Sequence, residues 1–147
     1  MSAENTHLLA GYALSSDPAR IDPVAAHAYL ARSYWSPGIP PEIVRRAIAN
    51  SLCVAVHYRN HQVAMARLVT DYATMAYLAD VYVLEEHRGQ GLSKAMLAHL
   101  HERPELQGLR RWILFTRDAH ELYGEFGWER TAHPERLMLR DNPAVYA

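Results

Sequence analysis

The chain is poor in the residues that would cross-link it, draw it to a polyanion or carry it through a membrane. Cys53 is the only cysteine among 147 residues. An intramolecular disulfide is therefore impossible, and a reducing cytoplasm is the expected setting. Lysine is almost missing, since of fifteen basic residues only Lys94 is not an arginine. Sixteen acidic residues bring the formal net charge to −1, which gives no electrostatic support to a nucleic acid or an acidic membrane as partner. No apolar run approaches the roughly 18 residues of a membrane span. The opening residues, MSAENTH, lack the basic-then-apolar order of a secretion signal. With no repeat, low-complexity stretch or linker, a single domain over residues 1–147 is the expectation.

What is present is enough for one core, because 50% of the residues are hydrophobic. Leu8 to Leu14 reads as a first strand. Asp22-Pro23 opens a helix, with Asp as N-cap and Pro in the first turn, and Val24, Ala28 and Ala31 suggest its apolar face. The loop SYWSPGIPP follows, then a helix from about Glu42 with Ile43, Val44, Ala47 and Ile48 on one side. SLCVAVHY and VAMARLVT read as a hairpin, and Met75 to Leu84 as a central strand. Leu92, Met96, Leu97 and Leu100 mark a helix. Trp112 to Phe115 is a short apolar strand, and Asp118 can cap a helix that Gly127 ends. Pieces at Trp128 to Thr131 and Leu137 to Leu139 read as closing strands. The plan is α/β, a mixed and mostly antiparallel sheet flanked by helices.

The stretch DVYVLEEHRGQGLSKAMLAHL joins the central strand to a helix through a glycine turn. A Walker loop is excluded because Gly-Lys-Ser/Thr is missing at the required spacing, and a dinucleotide fingerprint fails because Lys94 stands where its third glycine belongs. The remaining reading starts at Arg88 and continues through Gly89, Gln90, Gly91, Leu92 and Ser93. Glycines let the backbone approach a ligand closely. First-turn amides of a helix have no intrahelical partner and face an anion favourably. A pyrophosphate suits such a turn, and a plain strand-to-helix connection is the alternative.

On Arg88, Gly91 and Ser93 the segment resembles motif A of the GNAT N-acyltransferase superfamily, in which this loop holds the pyrophosphate of acetyl-CoA; Ser93 replaces the usual Gly or Ala. AHELYGEFGW resembles motif B of the same family through Ala119, Leu122, Tyr123 and Gly127, with Trp128 where Phe is usual. The asparagine often found seven residues before that tyrosine is Thr116 here. The resemblance implies a single-domain GNAT fold and acetyl-CoA as cosubstrate. It implies pantetheine pairing to the backbone of Val81 and Val83, and Tyr123 as the acid that protonates the leaving thiolate. Tyrosine titrates near 10 and a thiol near 8.5, so a phenol can supply that proton at neutral pH. A core aromatic beside Leu122 and Phe126 is the alternative reading of Tyr123.

Asp80, a lone acid in the apolar strand YLADVYV, is the expected general base; a structural carboxylate held by Arg67 or Arg117 is its alternative. Glu85 and Glu86 read as solvated acids. Tyr34 and Trp35 are expected to line the acceptor cleft, as the same loop does in the family. His99 and His101 face different ways on a helix, and His57 and His61 flank a turn without a third ligand, so no metal is expected. Cys53 reads as a buried small hydrophobe. The expected activity is transfer of an acetyl group from acetyl-CoA to a small amine or peptide in a ternary complex, with a homodimer compatible. A non-catalytic acyl-CoA-binding or sensory module is the rival, which a functional Tyr123 would argue against.

Overall fold

A computed structural model describes Leu8 and residues 10–147. Five strands form one sheet in chain order: β1 (Tyr12–Ser15), β2 (Leu52–Tyr58), β3 (His61–Thr70), β4 (Met75–Val83) and β5 (Arg111–Leu114). The first four are antiparallel, and β5 joins β4 in parallel. Parallel strands need a crossover, and α3 (Leu92–Glu102) supplies it. Beyond β5 comes a short α4 (His120–Gly124), while α1 (Pro23–Leu30) and α2 (Pro41–Ala49) lie between β1 and β2.

The sheet divides two apolar layers. On one face Leu92, Met96, Leu97 and Leu100 of α3 pack with Val54, Val56, Ala66, Leu68 and Leu78. Burying each such side chain stabilises the fold by roughly 1.5–3 kcal/mol. On the other face Ala26 and Leu30 of α1 and Val44 of α2 meet Cys53, Ala55, Met65 and Tyr82. The expected α1 face is corrected, because Val24 is 72% exposed and Ala28 is also exposed, whereas Ala26 and Leu30 are inside. The start of α1 is as expected: Asp22 accepts from the amides of Val24 and Ala25 at 2.9 and 3.2 Å.

Several boundaries differ from the sequence reading. The first strand runs from Tyr12 rather than Leu8, and Leu9 of the expected span lies outside the described residues. Asp118 does not cap α4. The Ala119 amide instead donates to Thr116 Oγ1 at 3.0 Å, and the helix begins at His120. It ends at Gly124, with Gly127 three residues beyond. The two closing strands do not form among the described residues. Leu137, Met138 and Leu139 are apolar enough for a strand but find no neighbouring strand among the described residues, and a strand is defined by its partner. No described helix is long and apolar enough to cross a membrane.

Candidate active site

Strands β4 and β5 part company. Their pairing runs from Met75 opposite Arg111 to Leu78 opposite Leu114 and stops, while β4 continues to Val83. The Leu84 amide donates to the Val63 carbonyl at 2.8 Å, so residue 84 faces β3. Alternation then turns the backbone groups of Val83 and Val81 to the other side, where β5 no longer reaches. The result is a wedge-shaped gap along β4, where β5 offers no partner and, of the Val83 groups, the carbonyl is taken by Arg88 Nε.

A β-bulge shapes this strand. Arg67 pairs with Ala79 and Met65 with Tyr82, so Asp80 and Val81 together oppose Ala66. Asp80 has φ +55, a left-handed conformation that Asp tolerates better than most residues. The bulge turns its carboxylate toward the face carrying α1 and α2. There Oδ2 accepts from Arg67 Nε at 2.7 Å and Oδ1 from Trp35 Nε1 at 2.9 Å. Arg67 also donates to Ser51 Oγ at 3.2 Å. Of the two partners the sequence offered for Asp80, the structure has Arg67 and not Arg117. Each carboxylate oxygen keeps a second lone pair, and the side chain is 13% exposed.

Tyr34 and Trp35 do come to this place. Their rings meet edge to face at 5.1 Å, and Tyr34 is half exposed. The Tyr34 hydroxyl accepts from the Arg117 amide at 3.3 Å, while the Arg117 guanidinium lies 3.9 Å over its ring. The loop after α1 is thus tied both to β4 and to the segment after β5.

Tyr123 belongs to the core layer on the α3 side of the sheet, near enough to Tyr34 for the two phenols to influence one another. Only 8% of it is exposed, and its ring lies 6.0 Å from that of Trp128. Burial pushes its phenol above its ordinary pKa, and the nearby Tyr34 phenol adds to the effect. It therefore stays protonated at neutral pH. Its hydroxyl makes no hydrogen bond within the described residues. Trp128 explains the departure from Phe in the motif: its indole N–H donates to His101 Nε2 at 3.0 Å, pinning the end of α4 to α3.

Beyond the end of β4, Gly89 and Gly91 have φ +79 and +77, and Gly91 is the N-cap of α3 with no side-chain capping bond. A Cβ at either glycine would meet no protein atom within 4 Å. The first-turn amides of α3, those of Leu92, Ser93 and Lys94, receive no side-chain cap from Gly91. Gln90 is exposed on this turn. Arg88 donates through Nε to the Val83 carbonyl at 3.1 Å and through a terminal nitrogen to the Tyr29 hydroxyl at 3.1 Å. The β4 rim that β5 does not reach and the helix start without a side-chain cap suit a ligand with amides at one end and an anion at the other. Pantetheine pyrophosphate has that chemistry.

Tyr29 was not singled out from the sequence. It stacks on Tyr82 at 4.4 Å and lies under the Arg32 guanidinium, which in turn pairs with Glu85 at 2.8 Å. That pair, with hydrogen bonding from Arg32 as the main cause, holds the Glu85 carboxyl down to about 2. Glu85 is thus a bound rather than a free acid. No local signal could have found the ties of Arg32 to Glu85 or of Tyr29 to Tyr82 and Arg88, since 53 to 59 residues separate those partners. Tyr29 and Arg32 also line a separate cavity of about 510 Å³ that reaches His61 and His87. No group of three or more metal-binding side chains gathers among the described residues.

Comparisons with known proteins agree with this geometry. The model of the acetyltransferase (GNAT) family matches residues 10–128, and the chain belongs to that family. A candidate acetyltransferase of Gibberella zeae is 32% identical, the match covering 78% of this chain and 76% of that protein. The crystal structure of a candidate GNAT acetyltransferase from Xanthomonas campestris pv. campestris is 44% identical with a TM-score of 0.89, covering 92% of this chain and 96% of that one. A predicted acetyltransferase of Clostridium acetobutylicum, solved with acetyl-CoA, shares the fold at a TM-score of 0.65 and 18% identity over 88% of this chain and 94% of its own.

Proposed function

We propose that this single GNAT domain transfers the acetyl group of acetyl-CoA to a primary amine by direct attack within a ternary complex. The observation that carries the proposal is the gap beyond Leu78 and Leu114, bounded by the edge of β4 that β5 does not reach and opening onto the glycine turn. In this reading the amides of Gly89 to Ser93 bind the pyrophosphate and the backbone of Val81 and Val83 pairs with pantetheine. Arg88 leaves or shares its present partners to reach the phosphates.

The acceptor enters beside Tyr34 and Trp35. Asp80 receives its ammonium on the free lone pairs, orients it and takes the proton. Attack of the neutral nitrogen on the thioester carbon forms the C–N bond. The C–S bond then breaks, Tyr123 delivers its proton to the departing thiolate, and the second proton of the attacking nitrogen is lost to solvent, from which the phenol is restored. A protonated, buried phenol without another hydrogen bond is suited to that task. Thiol release from acetyl-CoA, screened over small amines, amino acids and peptides, tests the reading. Tight CoA binding without transfer to any amine would favour a binding module instead.

A further inference from the structure

Four aromatic rings gather around the Asp80 carboxylate without being part of either apolar layer. We propose, resting on the acetyl transfer to an amine proposed above, that the acceptor carries an aromatic ring and a carboxylate besides its amine. A free aromatic amino acid and a short peptide ending in one share that chemistry.

Trp35 and Tyr34 are 39% and 51% exposed, and Trp35 is bonded directly to Asp80. The second pair is Tyr77 and Phe115. Ala76 and Leu78 point into the α3 layer, so alternation along β4 turns Tyr77 to the face on which Asp80 lies. Phe115 meets the Tyr77 ring edge to face at 5.9 Å and is 53% exposed. Arg117, two residues further on, gives its amide to the Tyr34 hydroxyl, which ties the segment of Phe115 to the loop of Trp35. None of the four rings belongs to the two core layers. Large rings left in water together form a surface for a flat apolar group. Tyr77 also has a polar end to offer: its hydroxyl makes no hydrogen bond within the described residues. Burial raises its pKa and Asp80 adds to the rise, so the phenol is a donor at neutral pH.

Charge is divided over this surface. Asp80 and Asp141 both act on Tyr77, whereas the Arg117 guanidinium lies 3.9 Å over the Tyr34 ring. Asp80 keeps lone pairs for an ammonium. Arg117 is held loosely, for its contact with Asp118 is 3.9 Å long between side chains 66% and 70% exposed, a geometry that contributes little. Its guanidinium is therefore able to turn to a carboxylate and grip it with two N–H bonds. An acceptor with its ammonium at Asp80, its ring against the aromatic side chains and its carboxylate at Arg117 uses every feature of the surface. A simple alkylamine leaves the rings and Arg117 without a partner.

Matched acceptors test the class. Thiol release from acetyl-CoA is measured with phenylalanine and with glycylphenylalanine. Each is compared with its analogue lacking the carboxylate, phenethylamine or glycyl-phenethylamide, and with its analogue lacking the ring, alanine or glycylalanine. At least one of the two aromatic acids should exceed both of its analogues in kcat/KM by at least about tenfold, and which one does so distinguishes amino acid from peptide. Arg117→Gln should bring the ratio to the carboxylate-free analogue within about threefold, and Phe115→Ala should do the same for the ring-free one. Comparing these ratios between parent and variant cancels differences in amine basicity. Calorimetry on the CoA-saturated protein should show the same order of affinities. Equal kcat/KM across the series, or a preference that survives Arg117→Gln, would overturn the acceptor class while leaving acetyl transfer intact. Absence of thiol release with every amine would overturn both.

Discussion

The indole of Trp35 donates to Asp80 Oδ1 at 2.9 Å, fastening the loop after α1 to the bulge of β4. Because Arg67 holds the other carboxylate oxygen, one acid fixes the loop, the bulge and β3 together. Asp80→Asn keeps the size and the tolerance for positive φ but leaves the Arg67 guanidinium, 17% exposed, without its counter-charge. The expected loss of stability is about 1–3 kcal/mol, measured by urea denaturation. Adding Arg67→Gln should recover part of it. Turnover should fall while CoA affinity, measured by calorimetry, changes little. Parental turnover with an unaltered pH profile would remove Asp80 from the chemistry.

Tyr123→Phe separates acid from core. The ring and its contact with Trp128 are kept, so melting temperature should change little. Loss of a positioned general acid typically costs about 10²–10⁴ in rate, and a floor of about tenfold is expected here because water can substitute in part. Single-turnover mixing with acetyl-CoA isolates the step. Because the Tyr123 pKa is raised above its ordinary value, the acid form persists through neutral pH, and no alkaline loss of rate below about pH 10 should trace to it. A parental single-turnover rate in the Phe variant would leave Tyr123 as packing alone.

At Gly91 the protein itself offers no obstacle to a side chain except φ +77. Gly91→Asn tolerates that conformation, whereas Gly91→Val strains it by about 1–3 kcal/mol. Both should remain folded and lose CoA affinity at least about tenfold, read by calorimetry, because the added atoms occupy the space claimed for the pyrophosphate. Unchanged affinity in a folded Gly91→Asn protein would move the cofactor elsewhere.

Much of this arrangement is legible in the chain. Strands β2, β3 and β4 announce themselves as apolar runs divided by polar turns, and α3 by the spacing of Leu92, Met96, Leu97 and Leu100. The glycine turn can be read because positive φ restricts residue choice locally. The bulge at Asp80 cannot, since it depends on the register between two strands. The ties of Tyr29 to Arg88 and of Arg32 to Glu85 were equally hidden, joining residues brought together only by the docking of α1. The closing strands do not form for a related reason: Leu137 to Leu139 have the composition of a strand, but composition does not supply a neighbour.

His101 predicts a pH dependence of stability. Burial lowers its pKa, and its Nε2 accepts from the Trp128 indole, which requires the neutral ring. The unfolded chain therefore binds this proton more readily, with a pKa near 6.5. Stability from this site is complete above that value and declines as pH falls below it toward the lower folded pKa. Melting temperature should drop as pH falls below about 6.5. His101→Gln, which can still accept a hydrogen bond, should flatten the decline; an equal slope in the variant would assign the effect to other groups, His57 first among them.

Cys53 should resist thiol reagents. Burial raises its thiol to about 12, so almost no thiolate is present at neutral pH. Modification by a disulfide reagent should be negligible in the native protein and immediate in denaturant. Rapid labelling of the folded chain would show that the layer between α1, α2 and the sheet is open.

Direct observation of the product bears on the central claim more closely than any variant. Acetyl-CoA with a labelled acetyl carbon is mixed with nitrogen-labelled amines, and the products are examined by NMR for one-bond coupling between the two labels. An acetyltransferase acting on amines should give that coupling in at least one product, together with equivalent free CoA thiol and dependence on Tyr123. Release of thiol with no carbon–nitrogen coupling in any product, or tight CoA binding with no thiol release at all, would contradict the account.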